Sequence, residues 1–163
     1  MTQHVLSGSS SPVRIPSTYT DINGHLNIGY YSVLFDQALV RPYYNGVGVG
    51  KEMILKEGKT TFALESHFTY QREVKASDLV CFGLRLLDLD SKRAHLFLTM
   101  NHAEEGWVAA THETLSMCVD VKSRKSAEWP PWVASRLSAL LDEHRGAPVP
   151  AEAGRVIRIR RKP

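Results

Sequence analysis

The chain has 163 residues, 43% of them apolar and 23% charged, with two cysteines and a net charge of +3. That is enough for one domain burying roughly 70% of its unfolded surface without a disulfide or metal staple, and the ordinary composition excludes a wholly disordered chain. The C-terminal "RVIRIRRKP" holds five of the twenty Lys and Arg residues; the nearly neutral body argues against a nucleic-acid partner, which calls for a basic stripe on a folded face.

In chain order, residues 1–12 ("MTQHVLSGSSSP") read as a flexible lead-in without the basic start and apolar run of a secretion signal. No window approaches the run of about 18 apolar residues that spans a bilayer, so the expectation is a cytoplasmic protein without a membrane partner. "VRIP" makes a short strand closed by Pro16. After the polar stretch "YTDINGHLN", the segment "LNIGYYSVLFDQALVRP" carries apolar residues on nearly every side of a helical wheel. This predicts one buried helix of about four turns, stopped ahead of Pro42. "NGVGVGKE" must bend; it follows a helix and lacks the Lys-Ser/Thr ending of a phosphate loop.

From Thr60 the period changes to two. Phe62, Leu64, Phe68 and Tyr70 are expected on one face, and Ala63, Glu65, His67, Thr69 and Gln71 on the other. Three more strands follow, "LVCFGLRLLDL", "RAHLFLTMNHA" and "WVAATHETLSMCVDV", joined by "DSK" and "EEG" turns that favour antiparallel neighbours. Cys81 and Cys118 lie in these runs and read as buried free thiols. Pro130 and Pro131 open a second helix with Val133, Leu137, Leu140, Leu141 and His144 along one stripe. Residues 146–163 read as a loosely held basic tail, leaving a single domain over 13–145. The element order implies an α+β fold, a curved antiparallel sheet wrapped round a buried helix. An exposed sheet edge is most simply protected by pairing with a second copy.

There is no Gly-x-Ser-x-Gly elbow, no paired-cysteine zinc pattern and no His-Glu-x-x-His, and no metal site is expected. His95, His102 and His112 fall in strands without an evident acidic partner and read as surface or packing residues. Asp21, Asn23, His25 and Asn27 alternate just upstream of the buried helix. Capping accounts for Asn27 and a sharp turn for Gly24, but not for all four polar residues. A helix start also offers free N–H groups for an oxyanion, beside which an aspartate can serve as base or nucleophile. On the residues alone, a cap and a reaction site stand even.

"YTDINGHLN" followed by an apolar helix resembles the Asp-x-x-Gly-His-x-Asn signature of hotdog-fold acyl-CoA thioesterases of the 4-hydroxybenzoyl-CoA thioesterase type. The likeness continues through "FALESHFTYQREV", "LDLDSKRAHLFLTM" and "ATHETLSMCVDV", and is greatest to the thioesterases of carnitine breakdown, which act on betainyl-CoA. The resemblance implies a hotdog fold with a long helix wrapped by a five-stranded antiparallel sheet. It implies hydrolysis of a small acyl-CoA to free acid and coenzyme A, with CoA as part of the substrate and no cofactor. Asp21 matches the catalytic acid, and His25 and Asn27 match the residues that shape the turn and helix start. Ile28 stands where many members have a second Asn. Glu65 and His67 match the "ESH" stretch and stand between substrate contact and a polar outer face. Tyr30, Tyr31 and Phe35 are candidates for the acyl pocket or for core packing, with aromatic faces expected round a quaternary ammonium. Arg72, Lys75, Lys122, Arg124 and Lys125 are candidates for the CoA phosphates. The expected assembly is a homodimer or homotetramer. Two other readings keep the fold: an acyl-thioester hydratase or dehydratase using His25 with Glu65, and a non-catalytic acyl-CoA-binding module.

Overall fold

In a computed structural model, which describes residues 10–159, the period-two runs become one five-stranded antiparallel sheet in the order β1-β3-β4-β5-β2. The strands are β1 (Val13–Arg14), β2 (Lys59–Tyr70), β3 (Leu79–Leu89), β4 (Arg93–His102) and β5 (Val108–Asp120). The sheet curls as a half-barrel round one long bent helix. Residues directly opposite across a pair share a face, so the register sorts the side chains. Leu84, Leu96, Leu98 and Met100 line the inner face and are at most 2% exposed. From the helix, Tyr31, Leu34 and Phe35 join them; the Phe35 ring meets Phe82 edge-on at 5.3 Å.

The long central helix is as expected, but it runs past the stop expected at Pro42. It begins as α1 (Ile28–Phe35), widens into a π-type turn over Asp36–Val40, and resumes as α2 (Arg41–Val47). Pro42 is therefore not a stop. It sits in the first turn of α2, where a missing N–H costs no hydrogen bond, and the wide turn upstream bends the helix. The glycine-rich bend then has a packing reason. Gly48 adopts a φ of +99° at the end of α2, and a Cβ there would collide with the Trp132 ring of α4 (Pro131–His144). A short α3 (Lys51–Glu57) leads into β2.

A second correction concerns β2. Its pairing with β5 slips between Ala63 and Glu65, where Leu64 is the extra residue of a bulge. The bulge reverses the parity. Phe62 opposite Met117 lies on the outer face with Glu65 and His67, while Phe68 and Tyr70 point inward. The stripe on α4 holds: Val133, Leu137 and His144 are buried, and His144 Nδ1 accepts the Leu86 N–H at 2.9 Å, where the β3–β4 register also shifts. Cys118 is fully buried and Cys81 half-buried, both as free thiols.

The C-terminal segment is more firmly placed, over its described part, than a loose tail. The buried Arg85 guanidinium donates to the carbonyls of Ala147 and Pro148. Gly154 N–H reaches both oxygens of Glu113, at 2.9 and 3.0 Å. Residues 160–163 lie outside the described residues, as do 1–9. Among the described residues no helix is long and apolar enough to cross a membrane.

Candidate active site

The loop before α1 is organised by the Asp21 side chain. Its Oδ1 accepts the N–H groups of Asn23 (2.8 Å) and His25 (3.2 Å). The backbone closes the same turn, with Asp21 N–H on the His25 carbonyl and Gly24 N–H on the Asp21 carbonyl. Gly24 sits at φ +77°, a left-handed conformation that a Cβ disfavours. Two further bonds fix the loop to its surroundings: Leu26 N–H to the Val74 carbonyl at 2.7 Å, and Asn27 N–H to the Tyr19 carbonyl at 2.9 Å. Asp21 Oδ2 has no hydrogen-bond partner among the described residues.

Asn27 is the N-cap of α1, its side chain accepting from Gly29 N–H at 3.0 Å. Its carbonyl also takes the Tyr30 N–H. The cap thus consumes two of the amides that the helix start offers and leaves the Ile28 N–H without a partner among the described residues. His25 turns its Nε2 to Glu73 Oε2 at 3.1 Å, so the chain just beyond β2 ties down the loop. Within one protomer this pairing replaces the His25–Glu65 pairing considered for a hydratase.

A cavity of about 380 Å³ opens here, lined by Asp21, His25, Leu26, Ile28, Tyr31, Tyr70, Gln71, Arg72 and Glu73. The Tyr31 and Tyr70 rings meet at 5.0 Å with 70° between their planes. Burial, then Tyr70 and Glu73, push the Tyr31 phenol pKa up, so it stays protonated. The Arg72 guanidinium lies 5.3 Å from the Trp107 ring centroid in a cation–π contact.

Of the three aromatics expected in an acyl pocket, only Tyr31 lines this cavity. Tyr30 stacks flat on Tyr19 at 4.1 Å, and Phe35 is fully buried in the core. Lys75 is exposed, and its backbone bridges to His25. Arg124 lies in the turn after β5, its guanidinium 4.6 Å over the Phe62 ring. Glu65 and His67 do not line the cavity with Asp21. They line a second cleft on the outer face, about 620 Å³, with His95, Glu113 and the C-terminal residues Gly154 to Ile157.

That cleft also corrects the reading of the strand histidines. His95 has an acidic partner after all, Glu113 at 2.8 Å, one strand over on the same face. His102 comes within 4.0 Å of Glu105 and stacks on Trp107. Of the three, His112 is the one without an acidic partner among the described residues: it stacks on Phe68 at 4.1 Å and meets Ser66 Oγ at 3.1 Å. Tyr70 and Glu73 were missed as site residues. The inward parity of Tyr70 was legible; the approach of Glu73 to a loop fifty residues earlier in the chain was not.

Comparison with known proteins agrees with this fold. Residues 15–137 match the model of the thioesterase-like superfamily. The betainyl-CoA thioesterase of Pseudomonas aeruginosa is 31% identical over 153 residues, covering 94% of each chain. An L-carnitine dehydrogenase/betainyl-CoA thioesterase of Rhizobium meliloti is 30% identical over 155 residues, and the match takes up 90% of this chain but 30% of that longer one. A Staphylococcus aureus protein solved in complex with CoA superposes with a TM-score of 0.86 at 25% identity, covering 98% of this chain and all of that one. The family match over most of the chain, the identity to a thioesterase along nearly its whole length and the shared fold lead to one conclusion: the chain belongs to the thioesterase-like superfamily and is a hotdog-fold acyl-CoA thioesterase.

Proposed function

We propose that this thioesterase acts on a small acyl-CoA, with betainyl-CoA as the first candidate, and that Asp21 is its catalytic carboxylate. The observation that carries the reading is the half-committed Asp21 side chain. One oxygen is locked by two backbone amides and the other has no partner among the described residues, in a cavity that Ile28, whose N–H is also without a partner among them, helps to line. With the thioester carbonyl oxygen near Ile28 N–H, the free carboxylate oxygen takes a proton from water as the water oxygen bonds to the carbonyl carbon. Collapse of the adduct breaks the C–S bond, and the thiolate leaves with that proton. Direct attack by Asp21, through an acyl-enzyme that water then opens, uses the same geometry.

His25 and Asn27 are positioning residues in this scheme, one tied to Glu73 and the other capping α1. Arg72 at the cavity, with Lys75 and Arg124 farther out, supplies cations for the phosphates of CoA. The assembly is proposed as a homo-oligomer in the cytoplasm. β2 is a twelve-residue edge strand with one neighbour in the sheet, and its Leu64 and Tyr70 are each 48% exposed. Thiol release measured over a panel of acyl-CoAs, betainyl-CoA included, tests the reading. Turnover of short acyl-CoAs is expected; a panel with no turnover at all overturns it.

A further inference from the structure

The aromatic side of the cavity has a chemistry of its own. Tyr31 is 5% exposed and forms a fixed wall, while Tyr70 stands at 70° to it as a second wall. The rings meet edge to face, and the ring faces flanking that contact present negative quadrupole density to a group seated beside them. The charges of the cavity point the same way. Asp21 and Glu73 bring two carboxylates into it, and the one guanidinium, that of Arg72, is stacked on Trp107. His25 is a partner of Glu73, and with a side chain of Glu73 still 69% exposed it does not bury that carboxylate. An acyl group ending in a carboxylate would meet two like charges here; one ending in a cation meets two opposite charges and two ring faces.

We propose that the corner between Tyr31 and Tyr70, closed by the Glu73 carboxylate, seats a quaternary ammonium head on the acyl group, and that these three residues set the substrate preference. The inference rests on the thioesterase reading above and goes beyond it, because it assigns discrimination to residues that take no part in breaking the thioester. Glu73 then has two partners on one carboxylate, the imidazole of His25 and the onium methyls. Tyr70, at the end of an edge strand, is the wall able to turn as the head enters.

The test compares betainyl-CoA with its neutral carbon isostere, 3,3-dimethylbutanoyl-CoA, in which a carbon replaces the ammonium nitrogen at the same shape. An ammonium beside the carbonyl activates the thioester intrinsically, so the wild-type ratio of kcat/KM values mixes reactivity with recognition. The change in that ratio on substitution does not, because intrinsic reactivity cancels. Tyr70→Leu is expected to lower the betainyl/isostere ratio by about 2- to 30-fold, Glu73→Gln to lower it as well, and Tyr70→Phe, which keeps the ring, to restore it. Equal losses on both thioesters in Tyr70→Leu and Glu73→Gln, with the ratio unmoved, overturn the proposal. So does a wild-type enzyme that turns over the isostere but not betainyl-CoA, and in that case the thioesterase reading survives. If neither these nor any other acyl-CoA is hydrolysed, both readings fall together.

Discussion

Two of the His–Glu pairs among the described residues are of nearly equal length and lie in opposite settings. His25–Glu73 (3.1 Å) lies beside the loop before α1, and His95–Glu113 (2.8 Å) lies on the outer face of the sheet. Each ties one segment to another, yet they differ in what is left over. At the outer face the pairing is complete: both oxygens of Glu113 also accept the Gly154 N–H, and its side chain is only 13% exposed. At the loop, Asp21 keeps one oxygen and Ile28 its amide without a partner among the described residues, and both residues line one cavity. Unused hydrogen-bonding capacity in a confined space, more than the presence of acids and imidazoles, separates a reacting site from a structural clasp.

The strongest way to break that contrast is Asp21→Asn. The amide keeps an oxygen where Oδ1 accepts from Asn23 and His25, so the turn should persist, while the proton acceptor is lost. The expected outcome is a fall in kcat of ~10²–10⁴-fold, the range for a removed general base, with an unchanged circular dichroism spectrum. Thiol release at saturating substrate measures it, and near-wild-type turnover would place the chemistry elsewhere.

His112 sharpens the contrast from the other side, as a strand histidine with no acidic partner among the described residues. Burial against Phe68 lowers its pKa from 6.5 to about 4, and its Nδ1 is a buried atom without a partner. The folded protein therefore holds this imidazole neutral where the unfolded chain protonates it. Between pH 6.5 and about 4 the unfolded state binds more protons, so stability falls with falling pH, by up to about 1.4 kcal/mol per pH unit from this group. Above pH 6.5 the contribution is constant. Urea unfolding of wild type and His112→Gln across this range should give a shallower acid slope for the variant. Equal slopes would remove His112 as the cause.

The sequence made the sheet legible because its signal is local: alternation names strands, and two- or three-residue turns name their neighbours. It also made Asp21, Gly24 and Asn27 legible, since a turn, a left-handed glycine and a cap all lie within seven consecutive residues. Two features escaped for physical reasons. The bulge at Leu64 inserts one residue without changing composition, yet it puts Phe62 on the opposite face from Phe68. The π-type turn lets the helix pass Pro42 by widening backbone spacing, which leaves no mark in apolar periodicity. The partners of both histidines were hidden for a third reason, because Glu73 and Glu113 reach them only through the fold: the chain beyond β2 delivers one to the loop, and strand register sets the other diagonally across from His95, opposite Phe97.

The smallest expected effect comes from the outer clasp. Glu113→Gln removes the charge from the His95 pair and exchanges one acceptor oxygen facing Gly154 for an NH₂ donor. The C-terminal segment keeps its second anchor at Arg85, which holds the carbonyls of Ala147 and Pro148. Loss of one anchor should therefore loosen the stretch around Gly154 without unfolding the sheet. The expected readout is faster limited proteolysis after Arg155 and Arg158, with kcat/KM changed by less than about twofold, as for a surface substitution away from the chemistry. A variant whose turnover falls as far as that of Asp21→Asn would erase the distinction between the two pairs. The outer cleft, with Glu65 and His67, would then have to be counted as part of the reacting site.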